Sequence, residues 1–327
     1  PEHLETLLKI IHLEMTQPRF AEHAKKTLIR DQMAEIKQRE NSPSWPIQQA
    51  YTDMIWEENM RVSPWSEEDL NRISLQKAEW IYRNKFENAG DFNFYLVGKF
   101  DLVEAERLIQ TYIASLPTKE FKEEYGDDGI TLRHETQEKI LYVASETQGT
   151  YLNFLHGRLK NISLEKRRAI AAFENILNAR LLKKLREEMS GVYNVTFSSS
   201  FLMAQKEEFQ AHLSFRCDPD RLKELIKATE QEIAFLRKDG VTAEELAIEK
   251  EQSRREREQV EASNHFWIDV IMDSHKRGES ELSILSYYTH NEELTQESIH
   301  EAIELFFSSI QGDASLLVYP AAMKPKK

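Results

Sequence analysis

The stretch LREEMSGVYNV, residues 185–195, sets an arginine and a tyrosine seven residues apart across a change of secondary structure. Arg186 falls in the last turn of a charged helix pattern. Ser190-Gly191 interrupts it, and Tyr193 opens a Val-Tyr-Asn-Val strand pattern. Two chemistries are open. In the first, Arg186 serves the helix dipole and the last carbonyls. Gly191 then takes the left-handed conformation that ends the helix, and Tyr193 is an ordinary strand residue. In the second, the turn brings a permanent cation and a hydroxyl that keeps its proton at neutral pH to one place. Such a pair can hold a carbonyl in register and stabilise an oxyanion.

The rest of the chain offers less. A zinc hydrolase needs two or three His or carboxylate ligands and an open position. His12, His23 and His156 occur singly, and HEAIE at 300–304 lacks the second histidine of either zinc-protease motif, HExxH or HxxEH. The histidines therefore read as surface or packing residues, and no metal ligands are assigned. Ser198-Ser199-Ser200 suits a solvent-facing strand, and no nucleophile elbow, phosphate loop or dinucleotide turn is present. Cys217 lies on the apolar face of its strand and reads as a buried thiol. The run EELAIEKEQSRREREQVEAS (244–263) mixes signs at helical spacing, as a solvated helix face does. Trp45, Trp56, Trp65, Trp80 and Trp267 read as packing residues.

Composition bounds the partners. The chain has 327 residues and a formal charge of −13, so a duplex nucleic acid partner is disfavoured. A single cysteine excludes an intrachain disulfide, and no apolar run is long enough to span a membrane. Pro1 begins directly in an amphipathic helix with no signal-peptide pattern, so the expectation is a piece of a longer chain.

Stepping from chemistry to scaffold, the spacing predicts helices over the first residues (Leu4, Leu8, Ile11, Met15), from Pro18 to Asn41, around Ile47–Ile55, after an N-cap at Ser74, and over about 101–115. Phe92–Val97 reads as a buried strand. The polar segment 117–135 reads as a linker. Strands are expected at 139–145 and 151–156 around a Gln148-Gly149 turn, then a helix over 163–189. Residues 192–201 and 209–217 form a hairpin across the MAQKEE loop, with Phe209, Ala211, Leu213, Phe215 and Cys217 on one face. Helices follow at 219–238, 243–277 and 295–310, and a strand at 315–319.

The chain also repeats itself. PEHLETLLK at 1–9 aligns with PDRLKELIK at 219–227, and Phe94-Tyr95-Leu96-Val97 with Leu316-Leu317-Val318-Tyr319, at offsets of about 218 to 222. The expected fold is α+β: two homologous α/β domains, each an antiparallel-rich sheet covered by helices. The first (1–116) is truncated at its N-terminus, lacking roughly 80 residues that would hold two hairpins and a helix. The linker (117–135) and the second domain (136–327) follow.

LREEMSGVYNV, with its Arg-x6-Tyr spacing crossing from helix to strand through a glycine, resembles a motif in the C-terminal half of the insulinase/pitrilysin zinc metallopeptidases, the inverzincins. The opening LETLLKIIHLEMTQPRF and the later FNFYLVGKFDLVEAERLIQTYIASLP resemble them too. The likeness covers residues 1 to about 320 and points to the bacterial single-chain proteases of the pitrilysin type. It implies four homologous domains in the whole protein, of which this chain carries the last two. It implies a catalytic zinc on HxxEH in the N-terminal half, outside this chain, and peptide substrates enclosed between the halves. It implies that Arg186 binds substrate, and that Tyr193 binds substrate and stabilises the oxyanion formed when zinc-bound water attacks. This chain alone is then expected to be inactive and zinc-free. Its partners would be the peptide and the N-terminal half, in a periplasmic or secreted setting. The alternative is a peptidase-like scaffolding subunit without catalysis.

Overall fold

A computed structural model describes residues 3–325 except 121, 122, 124, 125, 127, 145 and 203–206. The helices in chain order are α1 (Leu4–Thr16), α2 (Glu22–Glu40), α3 (Trp45–Ile55), α4 (Glu67–Asn71), α5 (Leu75–Phe86), α6 (Leu102–Tyr112), α7 (Leu164–Leu182), α8 (Leu222–Asp239), α9 (Ala243–Val260), α10 (Asn264–Lys276), α11 (Tyr287–Glu293) and α12 (Gln296–Ser308). The strands are β1 (Thr136–Val143), β2 (Gly149–Arg158), β3 (Val192–Leu202), β4 (Glu208–Cys217) and β5 (Ile310–Pro320). The hairpin connection over 203–206 lies outside the described residues.

Two compact units result. One comprises residues 1–42 and 63–129, the other 43–62 and 130–327. These units are not the contiguous blocks expected from sequence. The segment carrying α3 joins the second unit because Ile47, Ala50, Met54 and Ile55 bury themselves against β1, β2 and β5. Backbone bonds fix it there: Glu57 N–H donates to Thr131 O (3.0 Å) and Arg133 N–H to Ile55 O (2.9 Å).

The first unit is helical, and no strand occurs among its described residues. The strand expected at Phe92–Val97 is not one. Its backbone has no ladder partner, and Phe94 is 42 % exposed. Its segments are locally well specified all the same. Ser66 and Asp69 form a reciprocal cap on α4, and Ser74 and Asp101 cap α5 and α6.

The second unit holds a five-stranded sheet of order β1-β5-β2-β4-β3. β1 runs parallel to β5, and the other pairs are antiparallel. Here the expected β1–β2 pairing fails. The last strand inserts between them, because β5 is apolar on both sides and suits an interior position. β2 is likewise buried almost throughout.

One sheet face is covered by α7, α8 and α12. The alternation of β4 delivers Phe209, Ala211, Leu213, Phe215 and Cys217 to it, as expected. α7 answers with Ile170, Phe173, Leu177 and Leu181, all fully buried and spaced three or four apart. Each such side chain contributes about 1.5–3 kcal/mol. α3 covers the opposite face over β1, β5 and β2, and its Tyr51 hydroxyl reaches His212 of β4 (3.0 Å). Beyond it, β4 and β3 present Ser214, Arg216 and Thr196. The expected helix over 243–277 is two helices. The first ends at Val260, and Ser263 caps the second by accepting from His265 N–H (3.2 Å).

Candidate functional site

The site forms where α7 meets β3. The helix does not stop cleanly at Leu182. It widens into a π-helical turn, Lys183–Glu188, in which Met189 N–H reaches back five residues to Lys184 O (3.1 Å). Such turns shift the phase of every following side chain and recur at functional positions. Leu185, fully buried, anchors the inner side of the turn, so Arg186 is presented outward.

The chain then reverses through Ser190 and Gly191. The left-handed residue is Ser190, at φ +50°, rather than Gly191 as the sequence suggests. This conformation costs a non-glycine residue about 1–2 kcal/mol. Gly191 is needed for space. A Cβ there would meet Leu225 Cδ2 at 2.4 Å and Leu185 O at 3.3 Å. Its N–H donates to Leu185 O (2.7 Å), closing the helix end.

Capping is carried by other groups. Arg221 Nη1 donates to Met189 O (3.0 Å) and Ser190 O (3.5 Å), while its Nε and Nη2 donate to the Glu224 carboxylate (3.2 and 3.1 Å). With the helix end served by Arg221 and Gly191, the capping explanation for Arg186 loses its basis.

β3 begins with a bulge. Val192 is opposite Cys217 and Val195 opposite Phe215, so Tyr193 and Asn194 together face the single residue Arg216. A regular strand would put Val192 and Val195 on opposite faces. The extra residue lets both valines point into the core and turns Tyr193 and Asn194 outward. Tyr193 is 85 % exposed.

Pair and turn converge. The Arg186 guanidinium carbon lies 5.5 Å from the Tyr193 ring centroid, a cation–π contact. Both groups are exposed, and no hydrogen bond or ion pair engages either one among the described residues. Donors of two kinds therefore face the same space with their hydrogen-bonding capacity free. Beside Tyr193 runs a groove of ≈ 880 Å³, bounded by the start of α3, the Gln148 turn and the polar ends of β2, β4 and β3.

The remaining candidates are structural. Cys217 is buried, and burial pushes its thiol up to about 11. Ser199 donates its hydroxyl and N–H to Glu174 (2.6 and 2.9 Å). His156 is buried against Arg133 O (2.8 Å), and burial lowers its pKa. The charged run on α9 makes the expected helical pairs, Arg255–Glu251 and Arg257–Glu261 among them. Among the described residues no three His, Cys, Asp or Glu side chains gather to hold a metal ion. Sequence reasoning missed Arg221, Asn194 and Arg216. A bulge leaves no period of its own in the sequence, and the Arg221 clamp depends on a contact across 31 residues or more.

The fold is α+β, a five-stranded sheet with helices packed on both faces. The model of the peptidase M16 inactive domain matches residues 81–253, just over half of the chain, and the chain belongs to that family. A PQQL-like zinc protease of Arabidopsis thaliana is 24 % identical over 285 residues, covering 82 % of this chain and 30 % of that protein. The crystal structure of the periplasmic protease PqqL from Escherichia coli superposes with a TM-score of 0.84 at 19 % identity, over 98 % of this chain and 35 % of that one. A mutant of the ferredoxin protease FusC in complex with Arabidopsis ferredoxin gives 0.78 at 15 % identity, over 98 % and 34 %. The chain thus spans about a third of the length of these relatives. The zinc-metallopeptidase family expected from LREEMSGVYNV is confirmed, as is the α+β class. Among the described residues, no helix is long and apolar enough to cross a membrane.

Proposed function

We propose that this chain is the non-zinc-binding C-terminal part of a zinc metalloendopeptidase, and that it supplies Arg186 and Tyr193 to the peptide undergoing cleavage. The observation that carries this reading is the stacked, exposed and otherwise unengaged pair at the end of α7. Tyr193 donates its hydroxyl proton in a hydrogen bond to the scissile carbonyl oxygen as negative charge develops there. Arg186 donates from its guanidinium to a neighbouring backbone carbonyl and keeps the chain in register. Its stacking limits the rotation of both side chains before substrate arrives. The nucleophile and the metal belong to another part of the whole protein, so the partners are the peptide and that N-terminal half. A periplasmic setting, as for the PqqL neighbour, accompanies this reading.

In the full-length protein, Tyr193→Phe is expected to lower kcat by roughly 10²-fold with little change in KM, the size of one lost oxyanion donor. Unchanged turnover would overturn the catalytic role. The 327-residue chain alone is expected to leave peptides intact even with added zinc.

A further inference from the structure

Arg216 is placed as a second recognition group. It is exposed, it sits opposite the Tyr193–Asn194 bulge, and no carboxylate pairs with it among the described residues. In this it is like Arg186 and unlike Arg221, which Glu224 holds. The acidic side chain lining the same groove, Asp218, is turned to its own backbone and accepts from Asp220 N–H (2.9 Å).

Directly across the strand pair from Arg216, on the same sheet face, stands Thr150. It lines the same groove and is 5 % exposed, yet its hydroxyl has no hydrogen-bond partner among the described residues. An unpaired buried hydroxyl is costly, and mutational series place the cost at a level selection can remove. The hydroxyl itself is closed over. A χ1 turn of about 120° is the change that would exchange it with the methyl group. The start of α3 borders the opening with the exposed amide of Gln48. A cation, a hydroxyl in need of an acceptor and an amide donor converge on one small volume beside Tyr193.

We propose that this groove is a substrate subsite for a carboxylate, with Arg216 as the specificity-determining residue and Thr150 supplying a further hydrogen bond. The inference rests on Tyr193 facing the substrate. It adds that peptides carrying a carboxylate within a few residues of the cleaved bond are preferred. That carboxylate comes from an Asp or Glu side chain or from the peptide's own C-terminus.

The test reads binding rather than cleavage. Fluorescein-labelled eight-residue Ala/Gly peptides would be titrated into the 327-residue chain and followed by anisotropy. One carries a central Glu and a C-terminal amide, one a central Gln and an amide, and one a central Gln and a free C-terminus. At least one carboxylate peptide is expected to bind about five- to tenfold more tightly than the Gln amide, the size of one charge-assisted hydrogen bond at a half-open site. Which one does so identifies the source. Arg216→Glu lies on an exposed position and is expected to invert the preference, so that a central-Lys amide binds best. Thr150→Val is expected to weaken carboxylate binding by a few-fold while raising Tm by a few degrees. Because the test reads binding to the 327-residue chain and not turnover, its outcome stays separate from that of the kcat measurement on the full-length protein. Equal binding of all three peptides, no binding of any up to millimolar concentration, or an unchanged ratio in Arg216→Glu would overturn the proposal.

Discussion

Two stretches with the same sequence pattern meet different fates in this molecule. α8 buries Leu222 and Leu225 completely, against β2 and the end of α7. The matching α1 leaves Leu7, the counterpart of Leu225, half exposed, and Ile10 at 48 % where Ala228 is at 6 %. The same holds for the last strand. Leu316 in β5 is fully buried between two neighbours, while Phe94 at the equivalent place is 42 % exposed on a segment that joins no sheet ladder among the described residues. The difference teaches that the pattern encodes a demand for a partner sheet. The second unit, where β1, β2 and β4 meet the demand, turns the pattern into a strand and buries Leu222 and Leu225 completely, whereas α1 buries only Leu8 and Met15.

Stability measurements can break this contrast. The largest effect is expected at Leu225→Ala, about 2–5 kcal/mol, because a packed core site loses a full side chain. Leu7→Ala should cost under about 1 kcal/mol for the same chemistry. Equal losses in urea titrations would mean that the two copies are packed alike. Next comes Gly191→Ala, which presses a methyl group on the side chain of Leu225 where no room exists. Overpacking of this kind costs about 1–3 kcal/mol. Under the proposed function, kcat of the full-length protein should also fall, since the turn between Arg186 and Tyr193 must move.

The smallest expected effect concerns the two long charged helices of the repeat. α2 buries a single residue, Ile36, and α9 likewise a single residue, but that residue is the carboxylate Glu249. Asn175 Nδ2 and the Ser253 hydroxyl donate to it (3.0 and 2.6 Å), and no cation pairs with it among the described residues. Burial raises its pKa, and the two hydrogen bonds only partly oppose this. A carboxyl with a raised folded pKa binds protons more readily in the folded state. Its contribution to stability therefore improves as pH falls through that pKa and is least favourable above it. Glu249→Gln keeps both hydrogen bonds and is expected to stabilise by up to about 1 kcal/mol at pH 8. The gain should fade toward pH 4.5, as Tm measured across that range would reveal. A gain independent of pH would assign the effect to packing instead.

Much of the second unit was legible because its signals are local. The alternation in β4, the periodicity of α7 and the Ser163 cap each act within a few residues. The spacing of Arg186 and Tyr193 was equally plain. What was hidden is what depends on distant partners. The residues 92–97 read as a strand by themselves though they join no ladder among the described residues, and nothing in β1 says that β5 will come between it and β2. α3 looks like its helical neighbours in sequence, yet it packs on a sheet that starts some eighty residues later. At the site, the expected left-handed glycine proved to be Ser190, since the crowding at Leu225 that excludes a Cβ from Gly191 arises only in three dimensions.

β3 is the outer strand of its sheet, and α7 lies along it. Asn178 takes both the N–H and the C=O of Phe197 (2.7 and 2.8 Å), and Glu174 takes the N–H of Ser199. Two side chains thus imitate the backbone of a sixth strand. Open edges are where sheets of separate molecules zip together into aggregates. Here that growth is stopped along the middle of the strand by an amide and a carboxylate, so colloidal stability and the approach to Tyr193 are governed by different residues of one strand.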